Sequence, residues 1–132
     1  MITRRTLLLL APCMLLTLAP ASAAEPTAFT PEAFQSAQQA GKPILVDITA
    51  PWCPTCNAQA PVIEELTSRE TYKDVVIFHV DFDSQKDVVR SFNARSQSTL
   101  ITFRGQDEVA RSVGVTDPAA IEDMLAKAVS GS

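Results

Sequence analysis

Two cysteines three residues apart, Cys53 and Cys56, stand directly behind Trp52. There an apolar, strand-like run, Ile44-Leu45-Val46-Asp47-Ile48-Thr49, gives way to a helix-like segment. That placement constrains the fold more than any other feature of the chain. A sulfur at the first position of a helix meets the positive end of the macrodipole and backbone N–H groups without intrahelical partners. Both favour its thiolate, the nucleophilic form. A second sulfur one turn later lies on the same helix face and can close a disulfide with the first. The preceding run is apolar on both faces apart from Asp47, which suits a central strand of a parallel sheet covered on both sides.

The start of the chain has a different character. Arg4 and Arg5 are followed by an apolar stretch from Leu7 to Leu18 and by the small residues Ala21-Ser22-Ala23-Ala24, the pattern of an export signal over residues 1–24. The stretch is short for a membrane span, which needs about 20 apolar residues. Thr3-Arg4-Arg5 also loosely resembles a twin-arginine signal, so the export route is open. Pro12 ahead of Cys13 departs from the small-residue pattern of a lipoprotein cysteine. Cleavage after Ala24 removes two of the 11 basic residues and none of the 15 acidic ones, so the remainder carries a formal charge of −6. A charge of that sign argues against nucleic acid as a partner. Cleavage also removes Cys13, which leaves Cys53 and Cys56 to form one disulfide in a compartment where disulfides persist. A bridge closing so short a loop restrains the unfolded chain little, and a domain of about 108 residues can build a core without it. The pair therefore reads as a redox site rather than a staple.

Residues 25–29 read as a linker and residues 30–132 as one domain. Thr30 is placed to cap a helix with Pro31 at its first position and Gly41 past its end. The cysteine helix carries Val62, Ile63 and Leu66 as its apolar stripe, with Pro61 inside it to kink it. Tyr72 to Asp74 reads as a turn, Val75 to Phe82 as a strand, and Ser84 to Phe92 as a short helix capped by Ser84. Thr99–Phe103 and Glu108–Val113 form a hairpin, and Thr116 or Asp117 opens a last helix whose stripe is Ile121, Met124, Leu125 and Val129. The strand–helix–strand unit implies a parallel crossover to which the hairpin adds antiparallel edges.

With these elements in order, residues 29–129 resemble the thioredoxin superfamily. The likeness is carried by Ile44-Leu45-Val46-Asp47 ahead of Ala50-Pro51-Trp52-Cys53-Pro54-Thr55-Cys56, by Pro61 five residues after Cys56, and by Thr99-Leu100-Ile101-Thr102-Phe103 followed by Gly105. The stretch from Gly41 to Cys56 is also similar to periplasmic thioredoxin-like domains that relay electrons from membrane reductases. The resemblance implies an α/β thioredoxin fold, a central mixed β-sheet with helices on both faces. It implies Cys53 as the exposed attacking thiolate and Cys56 as the less exposed resolving thiol. Trp52 would shape the docking surface, unless it is a core aromatic. Asp47 would be a buried carboxylate exchanging a proton with the resolving thiol through water, unless it turns to solvent. Burial disfavours the charged form of a carboxylate and so suits a base working near neutral pH.

Two departures stand out. Pro54-Thr55 separates the cysteines where cytosolic thioredoxins carry Gly-Pro, which withdraws one possible donor to the Cys53 sulfur. Ser98, in Arg95-Ser96-Gln97-Ser98-Thr99, falls where the family has a cis-proline. A cis bond before a residue other than proline costs about 2.5–4 kcal/mol, so the peptide between Gln97 and Ser98 should be trans. In the family this loop faces the disulfide and pairs with substrate, which makes Gln97 and Ser98 the expected substrate-binding positions. Ser98 could donate to a sulfur, admit a metal ion, or be a tolerated loop serine. His79, the single histidine, reads as a packed strand residue, a proton shuttle partnering Asp47, or a metal ligand.

The function expected is thus a thiol–disulfide oxidoreductase of the periplasm. It would act on disulfide-bearing proteins with a membrane thiol reductase as electron donor, and without cofactor or metal. The competing expectation is a metal-binding or metallochaperone module, with Cys53, Cys56 and a third ligand holding a soft ion such as copper(I). A redox-inert docking domain is a third possibility.

Overall fold

The computed structural model describes residues 24–130; the expected export signal, apart from Ala24, lies outside them, as does Cys13. The elements are β1 (Thr27–Ala28), α1 (Pro31–Gln39), β2 (Pro43–Thr49), α2 (Pro54–Thr67), a 3₁₀ turn (Glu70–Tyr72), β3 (Val76–Asp81), α3 (Lys86–Ser91), β4 (Thr99–Arg104), β5 (Asp107–Val113) and α4 (Pro118–Ser130). The strands form one mixed sheet in the order β1-β3-β2-β4-β5. β2 is its centre, parallel to β3 and antiparallel to β4.

Alternation along β2 divides the core. Ile44, Val46 and Ile48 face one side with Phe78, Val80, Ile101 and Phe103, covered by Phe34 of α1 and Val89 of α3. Leu45 faces the other side with Ile77 and Leu100, covered by Ile63 and Leu66 of α2 and by Ile121, Met124 and Leu125 of α4. The sheet is therefore flanked by helices on both faces, as expected. Thr30 caps α1 by accepting the Ala33 N–H, with Pro31 in the first turn.

Four expectations are corrected. Residues 25–29 are more than a linker: Thr27 and Ala28 pair in parallel with Phe78 and His79, and Phe29 is buried. Its ring meets Phe34, Phe78 and Phe92 at centroid distances of 5.3, 6.0 and 5.5 Å. Phe29→Leu keeps most of the apolar area but loses these ring contacts, so a stability loss of about 1–2 kcal/mol is expected, read as a lower urea midpoint at unchanged slope. A linker phenylalanine would leave the midpoint where it is. Ser84 does not cap α3, which begins after Gln85 without a side-chain cap; the Ser84 N–H is bonded instead to Asp81. The turn expected from Tyr72 to Asp74 holds for Lys73 and Asp74, whereas Tyr72, its ring buried, closes a 3₁₀ turn. In α4, Ala128 rather than Val129 completes the buried stripe, because the position one turn beyond Leu125 faces the sheet through i+3.

Candidate active site

The sheet's pairing brings four loops to one end. Ile48 of β2 lies opposite Thr99, the first residue of β4, and Thr99 lies opposite Val113, the last of β5; Thr49 pairs with Asp81, the last of β3. The segments after β2, β3 and β5 and before β4 therefore meet where α2 begins.

Cys53 is the N-cap of α2 and Pro54 follows it inside the first turn. Its Sγ accepts the Cys56 N–H at 3.1 Å, so the sulfur takes the place that a Ser or Asp side chain fills in an ordinary cap. The two cysteines are joined as a disulfide with Cα atoms 5.3 Å apart. Both are buried, Cys53 at 1% and Cys56 at 5% exposure. The exposure expected of Cys53 is absent in the oxidised form, because the pair packs with Ala50 against Phe82.

Trp52 is 57% exposed, which removes the core alternative. Its indole Nε1 donates to Asp83 Oδ2 at 2.7 Å. Asp83 is held in turn by Asp81, whose Oδ1 accepts the N–H groups of Asp83 and Ser84 at 2.9 and 2.8 Å. The Ser84 N–H, foremost among these, holds the Asp81 carboxyl below the usual carboxylate range. Nothing in the sequence announces the Trp52–Asp83 bond, which joins residues 31 apart.

Asp47 is buried on the α2 face of β2, directly across from His79 in the β2–β3 register. His79 Nε2 lies 3.2 Å from Asp47 Oδ2, and the histidine side chain is half exposed. Asp47 Oδ1 has no hydrogen-bond partner among the described residues. A cavity of about 270 Å³ opens beside the pair, lined also by Ala60, Ile63 and Thr67 of α2. Ala60 is one turn from Cys56 on the same stripe of α2, so Asp47 lies under the cysteine face of that helix. The packed-strand reading of His79 gives way to a carboxylate partner.

The peptide before Ser98 is trans, as expected. Ser98 is buried and holds φ at +58°, a left-handed conformation uncommon for a residue with a Cβ. Its hydroxyl donates to the Gln97 carbonyl at 2.6 Å, not to a sulfur. Gln97 is half-buried in the same loop. The metal-binding alternative needs a third ligand beside the sulfurs; among the described residues no group of three or more His, Cys, Asp or Glu side chains is arranged to hold a metal ion.

Sequence reasoning missed Gln59, buried in α2 and bonded through Nε2 to the Val115 carbonyl at 2.7 Å and to the Ser98 carbonyl at 3.4 Å. The signal was there: a glutamine on the helix face shared by Cys56 and Ile63.

This arrangement places two sulfurs where they can exchange a dithiol for a disulfide. The thioredoxin family model matches residues 25–127. Thioredoxin-2 of Saccharomyces cerevisiae is 38% identical over 97 residues, covering 73% of this chain and 90% of that protein. The bifunctional thioredoxin reductase/thioredoxin of Mycobacterium leprae is 36% identical over 88 residues, 67% of this chain and 19% of that protein. The crystal structure of Trxlp from Edwardsiella tarda aligns with a TM-score of 0.74 at 40% identity, covering 76% of this chain and 98% of that one. Sequence, fold and the placement of the paired sulfurs agree: the chain belongs to the thioredoxin family and is a thiol–disulfide oxidoreductase.

Proposed function

We propose that this protein is an exported reductant of protein disulfides, working in the periplasm and recharged by a membrane thiol reductase. The observation that carries the reading is the Cys53 sulfur at the N-cap of α2, bonded to the Cys56 N–H and flanked by an exposed tryptophan. In the reduced protein the Cys53 thiolate attacks one sulfur of a substrate disulfide. A Cys53–substrate bond forms, the substrate S–S bond breaks and its other sulfur leaves as a thiolate. Cys56, giving up its proton, then attacks Cys53 Sγ, expels the second substrate thiolate and leaves the Cys53–Cys56 disulfide. Two electrons pass from the dithiol to the substrate, and a donor must restore them. The export pattern over residues 1–24 supports the location, and the Mycobacterium leprae relative, named for both a reductase and a thioredoxin, supports a reductase donor.

Equilibration of the purified domain with glutathione or dithiothreitol buffers tests the direction. A reductant is expected to have its midpoint at or below about −230 mV, near the range of reducing thioredoxins; a midpoint near about −120 mV marks an oxidant and overturns the direction. Fusion of residues 1–24 to a reporter active only outside the cytoplasm tests the location, and an inactive reporter overturns export.

A further inference from the structure

We propose that Gln59 is a positioning residue for substrate docking, holding the loops on either side of the β4–β5 hairpin in the arrangement a substrate chain meets. The proposal rests on the reading that proteins dock beside Trp52 and the Ser98 loop. Ser98 has a left-handed backbone although it carries a Cβ, a conformation that persists only where surrounding contacts impose it. Two contacts converge on its carbonyl. The Gly114 N–H donates to it at 2.9 Å, and Gln59 Nε2 reaches it at 3.4 Å. The same Nε2 makes a shorter bond, 2.7 Å, to the carbonyl of Val115, the residue after Gly114. Because both partners are carbonyl oxygens, the amide nitrogen must be the end that faces them. One carboxamide thus clamps the segment entering β4 to the segment leaving β5, and anchors both to the helix that carries the disulfide.

The glutamine has a cost as well as a return here: its Oε1 is buried without a hydrogen-bond partner among the described residues, while its Nε2 serves two carbonyls that an apolar side chain would leave short of a donor. The clamp preserves a geometry at the sheet end where the cysteines lie. The Ser98 loop takes it without a proline ring, through a side chain donated by the cysteine helix. Gln59 touches neither sulfur by hydrogen bond, so its effect falls on how a substrate seats rather than on exchange itself.

The test compares wild type with Gln59→Met, which matches length and volume, on two substrates. Insulin probes a protein disulfide and an aromatic dithiobis compound probes a small one. The expected result is a KM for insulin raised about 3- to 10-fold, the range a net hydrogen bond supports. The kcat, the rate with the small disulfide and the redox midpoint stay within about two-fold or experimental error of wild type. Faster amide hydrogen exchange at Gly114, whose N–H bonds to Ser98, is expected alongside. An unchanged KM with an active wild type overturns the proposal alone. Equal losses on both substrates also overturn it, because they place Gln59 in the fold or the sulfur chemistry. Wild type that turns over the small disulfide but not insulin overturns the protein-substrate reading and the proposal with it. Gln59→Glu turns acceptor oxygens toward the two carbonyls; it too should raise KM, and an unchanged value overturns the clamp should Gln59→Met fail to fold.

Discussion

Cys53→Ser is expected to lower disulfide exchange by at least about 10⁴-fold, to the limit of detection, whereas Cys56→Ser is expected to accumulate a covalent adduct with substrate. The assignment is not settled by exposure, since Cys53 is the more buried of the two in the disulfide form. It rests on electrostatics. A helix N-terminus lowers a thiol from about 8.5 to between about 3.5 and 7.5, which turns a few per cent of thiolate at neutral pH into a quarter or more. The 4-point difference between 1% and 5% exposure is small beside that. Cys53 is the residue whose sulfur already accepts a helix N–H, while Cys56 lies within the first turn, where its backbone supplies that N–H. Serine at position 53 has no thiolate to offer, so the first attack and the adduct it forms are lost. Serine at position 56 leaves the attack intact but removes the sulfur that resolves it. Non-reducing electrophoresis and intact mass of each variant after mixing with an oxidised protein read the difference directly. Adducts on Cys53→Ser and none on Cys56→Ser would reverse the roles.

Local signals in the sequence reached as far as local physics reaches. The Ile44–Thr49 run became β2 because a strand apolar on both faces has few places to go other than the centre of a covered sheet. Thr30 and Pro31 fixed the start of α1, and the trans peptide before Ser98 followed from the cost of the alternative. β1 was not legible: two exposed residues carry no periodicity, and their pairing is supplied by β3, some 50 positions away. The same holds for the contacts that finish the site. Trp52 to Asp83, Gln59 to Ser98 and Gln59 to Val115 join residues 31, 39 and 56 apart, and only the sheet's topology puts them together. The burial of Cys53 was missed for a related reason, since Phe82 comes from the end of a different strand to cover it. Asp47 was legible as an anomaly within β2, but its partner His79 became certain only through the parallel register.

That anomaly carries the second large effect. Asp47→Asn is expected to slow the resolving step about 10²-fold at pH 7 while making the folded protein about 1–3 kcal/mol more stable. The carboxylate is buried, has one oxygen without a partner among the described residues and the other on a half-exposed histidine, so folding gives up its hydration for little return. Asparagine keeps the shape, removes the charge and relieves that cost. It also removes the carboxylate expected to act as the base. Resolution requires Cys56 to lose its proton inside a buried site, and Asp47 is the carboxylate under that face of α2, with a cavity beside it that His79 borders. Attack by Cys53 needs no such help, because its thiolate is favoured by the helix terminus. The loss should therefore fall on release of substrate from the mixed disulfide, not on its formation. Rapid-quench kinetics separate the two steps, and denaturant unfolding of the oxidised protein gives the stability change. Normal release kinetics in the Asn variant would take Asp47 out of the chemistry, and an unchanged unfolding midpoint would mean that the carboxylate is better solvated than its burial indicates. Together, slower resolution and a more stable fold would mark Asp47 as a residue kept at the expense of stability because Cys56 needs it.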